Sequence, residues 1–154
     1  MFKNIKNIKI LSGNHTTHRV GLLQAKVYRI LKTHTANNLI THNISTIEWA
    51  FLGLIHDNPQ GIRFSDAADE MGVEAPFITV LIKDLKKQRL VTVTPDSKDS
   101  RVKLIFLSPH GKKFVTKVEN ELKEKMRPLI NDVTVSEIAG YLSVLEKIIK
   151  NSDL

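Results

Sequence analysis

Apolar residues recur at helical spacing through most of this chain and switch to a strand-like pattern between positions 90 and 107. Val20, Leu23, Val27 and Ile30/Leu31 keep an i, i+3, i+4 rhythm, which predicts a long helix over 15–39. Ile47, Ala50, Phe51 and Leu54 predict the buried face of a second helix. That helix opens at Ser45, where S-T-I-E sets Glu48 at the third position as a capping box. It stops at Asp57-Asn58-Pro59, because proline cannot continue it. Gly61-Ile62-Arg63 reads as short and extended. Ser65 is expected to cap a short helix that ends at Gly72, a C-terminal glycine. The next helix, over 75–88, has Pro76 in its first turn and a core stripe of Ile78, Leu81, Ile82 and Leu85. Then L-V-T-V-T-P (90–95), the polar turn D-S-K-D-S and V-K-L-I-F-L (102–107) predict a β-hairpin.

Ser108 can N-cap a further helix whose first position is Pro109. In it Phe114, Val118, Leu122, Met126 and Leu129/Ile130 recur every three or four residues, until Pro128 kinks or ends the run. Thr134 starts a last helix with another capping box, T-V-S-E, followed by Ile138, Tyr141/Leu142, Leu145 and Ile148/Ile149. The expected fold class is mainly α with a small β-hairpin (α+β). Short helix, tight turn, longer helix and hairpin form a winged helix-turn-helix over 45–107. At 154 residues the chain is expected to be one domain with one core. Three amphipathic helices, in 1–42 and 109–154, flank the winged part and need a partner for their apolar faces.

The stretch 99–111, D-S-R-V-K-L-I-F-L-S-P-H-G, fits the spacing D-x-R-x-x-x-(I/L)-x-L-(S/T)-x-x-G at every defined position: Asp99, Arg101, Ile105, Leu107, Ser108 and Gly111. This resembles the wing signature of MarR-type winged helix-turn-helix regulators, and the order of elements over about 15–150 resembles that family too. The resemblance implies a homodimer whose terminal helices interlock, acting as a repressor on double-stranded DNA at a pseudo-palindromic operator. It also implies release by a small-molecule effector in a crevice between the dimer helices and the DNA-binding part.

Charge agrees with a polyanionic partner. Net charge is +7, and residues 1–32 carry seven basic side chains and no acid; the first acid is Glu48. The excess therefore lies at the N-terminus, in an arm K-N-I-K-N-I-K-I whose period of three gives no clean stripe. An apolar content of 42% suits a packed core. With no cysteine, disulfides, thiolate zinc sites and thiol redox switches are excluded. No apolar run approaches the ~18 residues that span a membrane, and the N-terminus lacks a signal-like apolar segment, so the expectation is a cytoplasmic protein with no membrane partner.

The helix over 75–88 turns Pro76, Val80, Lys83 and Lys87 away from its core stripe, with Thr79 at the edge. That face is the one a major groove would meet. Thr79 can bond a base edge or a phosphate, Lys83 and Lys87 suit phosphates or guanine, and Val80 offers only apolar contact, for instance with a thymine methyl. The resemblance implies an arginine often in place of Val80, so its absence here weakens the expectation of a guanine contact at that position and puts base specificity in doubt. Arg101 at the wing suits a minor groove, held by Asp99 in a bidentate pair, with Lys98 and Lys103 on phosphates. His15 and His18, about one helical turn apart, lack further ligands, so no metal and no cofactor is expected. Nothing resembles a catalytic triad, a phosphate loop or a carboxylate pair, so no enzyme is expected. Trp49 fits core packing. The alternative reading is a winged-helix interaction protein that binds a protein partner without a sequence-specific DNA role.

Overall fold

The computed structural model describes residues 17–152. The basic arm with Lys3, Lys6 and Lys9, and also His15, lie outside the described residues. Among the described residues the elements run α1 (Thr17–Leu39), α2 (Thr46–Asp57), β1 (Ile62–Arg63), α3 (Phe64–Met71), α4 (Ala75–Lys87), β2 (Val91–Pro95), β3 (Lys103–Leu107), α5 (Pro109–Met126) and α6 (Val135–Asn151). None of these helices is long and apolar enough to cross a membrane. The chain divides into two compact units between Glu119 and Asn120.

In the first unit the helix boundaries follow local chemistry. Ser45 and Glu48 form the expected capping box at the start of α2: the Glu48 carboxylate accepts from the Ser45 backbone N–H at 2.7 Å, and the Glu48 N–H donates back to the Ser45 hydroxyl at 3.3 Å. Gly72 takes a left-handed conformation (φ 61°) that ends α3, and its N–H reaches the Ala68 and Asp69 carbonyls. This turn sets α4 against α3. On α4 the stripe Ile78, Leu81, Ile82 and Leu85 is buried as expected. It joins Phe51, Leu52 and Ile55 of α2, Ala67 and Ala68 of α3, and Ile105 and Leu107 of β3 in one core.

Four local expectations are corrected. Ser65 is not a cap: β1 runs straight into α3, Arg63 is the N-cap residue without a side-chain cap bond, and the Ser65 hydroxyl donates to Asp66 instead. The hairpin has a third strand, because β1 pairs antiparallel with β3 (Ile62 opposite Ile105, Arg63 opposite Leu104), giving the order β1-β3-β2. Ala50 is exposed, and Leu52 and Ile55 are the buried residues beside Phe51. In α5 Val115 is buried and Phe114 only half-buried, its ring meeting His42 edge-on at 5.9 Å.

A tight joint ties α5 to the winged part. The Ser108 hydroxyl donates to the Arg89 carbonyl at 2.6 Å and accepts from the Gly111 N–H at 2.8 Å, which is the expected N-cap of α5. The Ser108 N–H donates to the Leu90 carbonyl at 2.9 Å. A Cβ placed on Gly111 would overlap that same carbonyl oxygen, so only glycine allows the approach. Arg89 itself is left-handed (φ 58°) and closes the end of α4.

In the second unit, Pro128 ends α5 as expected: the helix stops at Met126 and a single 3₁₀ turn, Arg127–Leu129, follows. Thr134 and Glu137 form the second capping box at α6, and the backbone and hydroxyl bonds from Thr134 hold the Glu137 carboxyl below the usual carboxylate range. No residue of α6 is buried, and Ile138, Tyr141, Leu142, Ile148 and Ile149 are all exposed. In the first unit, α1 likewise exposes Val20, Leu23, Val27 and Ile30.

Candidate nucleic-acid interface

An open groove of about 1120 Å³ lies between α4, the start of α3 and the wing. Arg63, Lys83, Lys86, Lys87, Arg101 and Lys103 line it, together with Phe64, Ser65, Thr79, Ile82, Val93 and Val102. Six cations and no carboxylate face one channel, which concentrates positive potential there. Of the residues singled out from sequence, Thr79, Lys83, Lys87, Arg101 and Lys103 come together on this groove. Pro76 and Val80 stand on the exposed outer side of α4, and Lys98 sits at the exposed wing tip.

The wing loop is ordered by its two aspartates. Asp96 accepts from the Lys98 N–H at 2.7 Å, and the Asp96 N–H closes the loop onto the Val102 carbonyl at 2.8 Å. Asp99 accepts from Arg101 three times: backbone N–H at 3.0 Å, Nε at 3.1 Å and Nη2 at 3.3 Å. The pair is bidentate, as expected, and holds a guanidinium whose side chain is 89% exposed. These bonds, first the side chain and then the backbone N–H of Arg101, hold the Asp99 carboxyl below the usual carboxylate range, and the Arg63 charge adds to them. Asp99 is an acceptor only, so it positions Arg101 and cannot itself meet a phosphate.

The sign of the linkage follows. A depressed folded-state pKa contributes stability above the ordinary carboxylate range, and that contribution is lost as pH falls through the lowered value. In Arg101→Ala the Asp99 titration midpoint should therefore move up. Carboxyl-carbon NMR reads it directly, and an unmoved midpoint would show that the pair does not form in solution.

Lys87 donates to Asp84 at 2.8 Å, which lowers the Asp84 pKa and partly occupies the lysine. Arg63 and Lys86 were not expected from sequence. Arg63 reaches the groove because β1 pairs with β3 (Arg63 opposite Leu104), a non-local contact. Lys86 stands on the flank of α4, and its role depends on the wing standing beside that flank. Among the described residues no three histidine, aspartate or glutamate side chains converge as a metal site would require.

A sequence profile of the MarR family matches residues 42–102, from the approach to α2 through Asp99 and Arg101 of the wing. The HTH-type transcriptional regulator FarR of Neisseria gonorrhoeae is 27% identical over 113 residues, which is 73% of this chain and 75% of FarR. Over residues 42–102 the chain is similar to the MarR family. MarR-family proteins are transcriptional regulators and not enzymes. Solved structures with this winged fold agree along most of the chain. CouR from Rhodococcus jostii RHA1, bound to p-coumaroyl-CoA, aligns with a TM-score of 0.79 at 18% identity, over 92% of this chain and 99% of that one. The S. aureus MepR–DNA complex aligns with a TM-score of 0.70 at 20% identity, over 90% of this chain and 100% of that one. Within the MarR signature, Ser108 and Gly111 are thus joint residues, and Asp99 and Arg101 are wing residues.

Proposed function

We propose that this chain is a MarR-family regulator: a homodimeric, sequence-specific DNA-binding repressor of the cytoplasm. The cationic groove between α4 and the wing carries the reading. In it, residues 45–107 bind DNA, and 1–42 with 109–154 form the dimer. Pro76, Thr79, Val80, Lys83 and Lys87 of α4 face a major groove, and Arg101, positioned by Asp99, enters the adjacent minor groove. Lys98 and Lys103 meet phosphates, and Arg63 and Lys86, which line the same groove, would join them. A two-fold dimer would meet a pseudo-palindromic operator, with half-sites about one helical turn apart. The MepR–DNA complex supports the polyanion, and the exposed apolar side chains of α1 and α6 support the dimer. CouR, solved with p-coumaroyl-CoA, supports a small-molecule ligand, which would act by releasing the DNA. That effector would enter a crevice lined by α1, α2 and α5. A smaller hollow of about 240 Å³ lies between the end of α2, β3 and α5, and no α1 residue lines it.

Salt separates this reading from docking on a neutral protein surface. Affinity for duplex DNA should fall steeply as salt rises, through counterion release. At matched salt, Arg101→Ala should weaken binding by about 1–3 kcal/mol and leave the fold intact. Unchanged affinity would mean that Arg101 serves only the turn, and a flat salt response would remove the DNA reading altogether.

A further inference from the structure

We propose that the N-terminal half of α4 reads thymine methyl groups in the major groove, through an apolar patch of Pro76, Phe77 and Val80. The proposal rests on the DNA-binding reading above and says which bases that site selects.

The outward surface of α4 is divided along its axis. Its first six positions expose Pro76, Phe77 (39% exposed) and Val80 (52%), while its last five expose Lys83, Lys86 and Lys87. At 100° per residue, Pro76, Val80, Lys83 and Lys87 fall within an arc of about 60°, with Phe77 beside it. One surface thus presents an apolar start and a cationic end. Helices of this kind meet base edges with their N-terminal residues. The lysines of the other half, with Arg63 and Arg101 across the groove, supply the charge that holds a polyanion in place.

The largest apolar group that base edges present in the major groove is the C5-methyl of thymine. Proline, phenylalanine and valine side chains can neither donate to guanine nor accept from cytosine. Set against a G·C edge, they would strip its polar groups of water without replacing the hydrogen bonds. Set against thymine, they bury a methyl. Thr79 carries the one hydroxyl in this half, and it lies on the flank that lines the cationic groove. The patch therefore selects by apolar contact alone. The cationic groove that borders the other end of α4 favours a polyanion over a neutral protein surface, and the test below decides that as well.

Deoxyuridine removes the methyl and leaves every hydrogen-bonding atom in both grooves in place. The experiment uses the full chain and the tightest duplex recovered from a random-sequence library, remade with single dT→dU replacements. We expect one or two thymines in each half-site to lose roughly three- to fivefold in affinity when replaced, as burial of one methyl predicts. The salt slope should not change, because no phosphate contact is altered. Val80→Ser and Phe77→Ser, both at exposed positions, should keep the fold by circular dichroism, and at least one should bind the dT and dU duplexes equally. A penalty that survives in both variants, or no penalty at any thymine, overturns the proposal while specific DNA binding stands. Failure of the library to yield any preferred duplex overturns the DNA-binding reading and this proposal together.

Discussion

Replacing Gly111 by alanine is expected to destabilise the fold by about 3 kcal/mol. The new Cβ would overlap the Leu90 carbonyl oxygen, which belongs to the backbone and cannot rotate aside. Over-packing of this kind typically costs about 1–3 kcal/mol. Moving Leu90 would also stretch the bond from the Ser108 N–H, 2.9 Å long in the native joint, for about another 1 kcal/mol. Urea unfolding should show a lower midpoint with an unchanged slope. The control is Gly53→Ala, in the middle of α2, where a Cβ meets nothing within 4 Å. There alanine should stabilise by about 0.5–1 kcal/mol, because glycine is a poor helix former. Equal stabilities for the two variants would remove the steric account of Gly111.

The second large effect concerns assembly. Leu142 and Ile149 on α6 are 51% and 70% exposed in the single chain. Glutamate favours helix, so the double change Leu142→Glu, Ile149→Glu should leave α6 formed and place two charges on its apolar face. Light scattering at micromolar concentration should then report a monomer in place of a dimer. Specific DNA affinity should fall by at least about 100-fold, because two linked half-site contacts become one. A variant that remains dimeric would show that α6 is not the interface. A monomer that binds the operator at full strength would show that the dimer is irrelevant to recognition.

Much of the architecture was legible because its signals are short-range. The two capping boxes each span four residues and use side chains that bond their own backbone, so Ser45 and Thr134 mark helix starts whatever surrounds them. Gly72 marks the turn between α3 and α4 because few other residues adopt its φ without strain. The Asp99–Arg101 pair is two residues apart and needs only the wing loop to form.

What was misread depended on contacts between distant residues. Ser65 has the right side chain for a cap, yet β1 pairs with β3 and starts the helix earlier, which leaves Ser65 inside it. The same pairing brings Arg63 to the groove. On α2, the stripe through Ala50 had to give way to Leu52 and Ile55, because the core reaches that helix over a different arc than a minimal i, i+3, i+4 reading allows. Lys86 was overlooked because the wheel of α4 alone places it on the flank, and the wing makes that flank one wall of the groove.

The joint at Ser108 has a mechanical meaning. Arg89 closes the end of α4, Leu90 leads into β2, and both carbonyls are held by Ser108 at the start of α5, with Gly111 seated directly on Leu90. No slack chain separates α4 and β2 from the start of α5. A tilt of the first turns of α5 would, through these contacts, be passed to the end of α4 as the rotation of a lever. The distance that the outer side chains of α4 would sweep is then set by the length of that lever arm and not by the give of a loop.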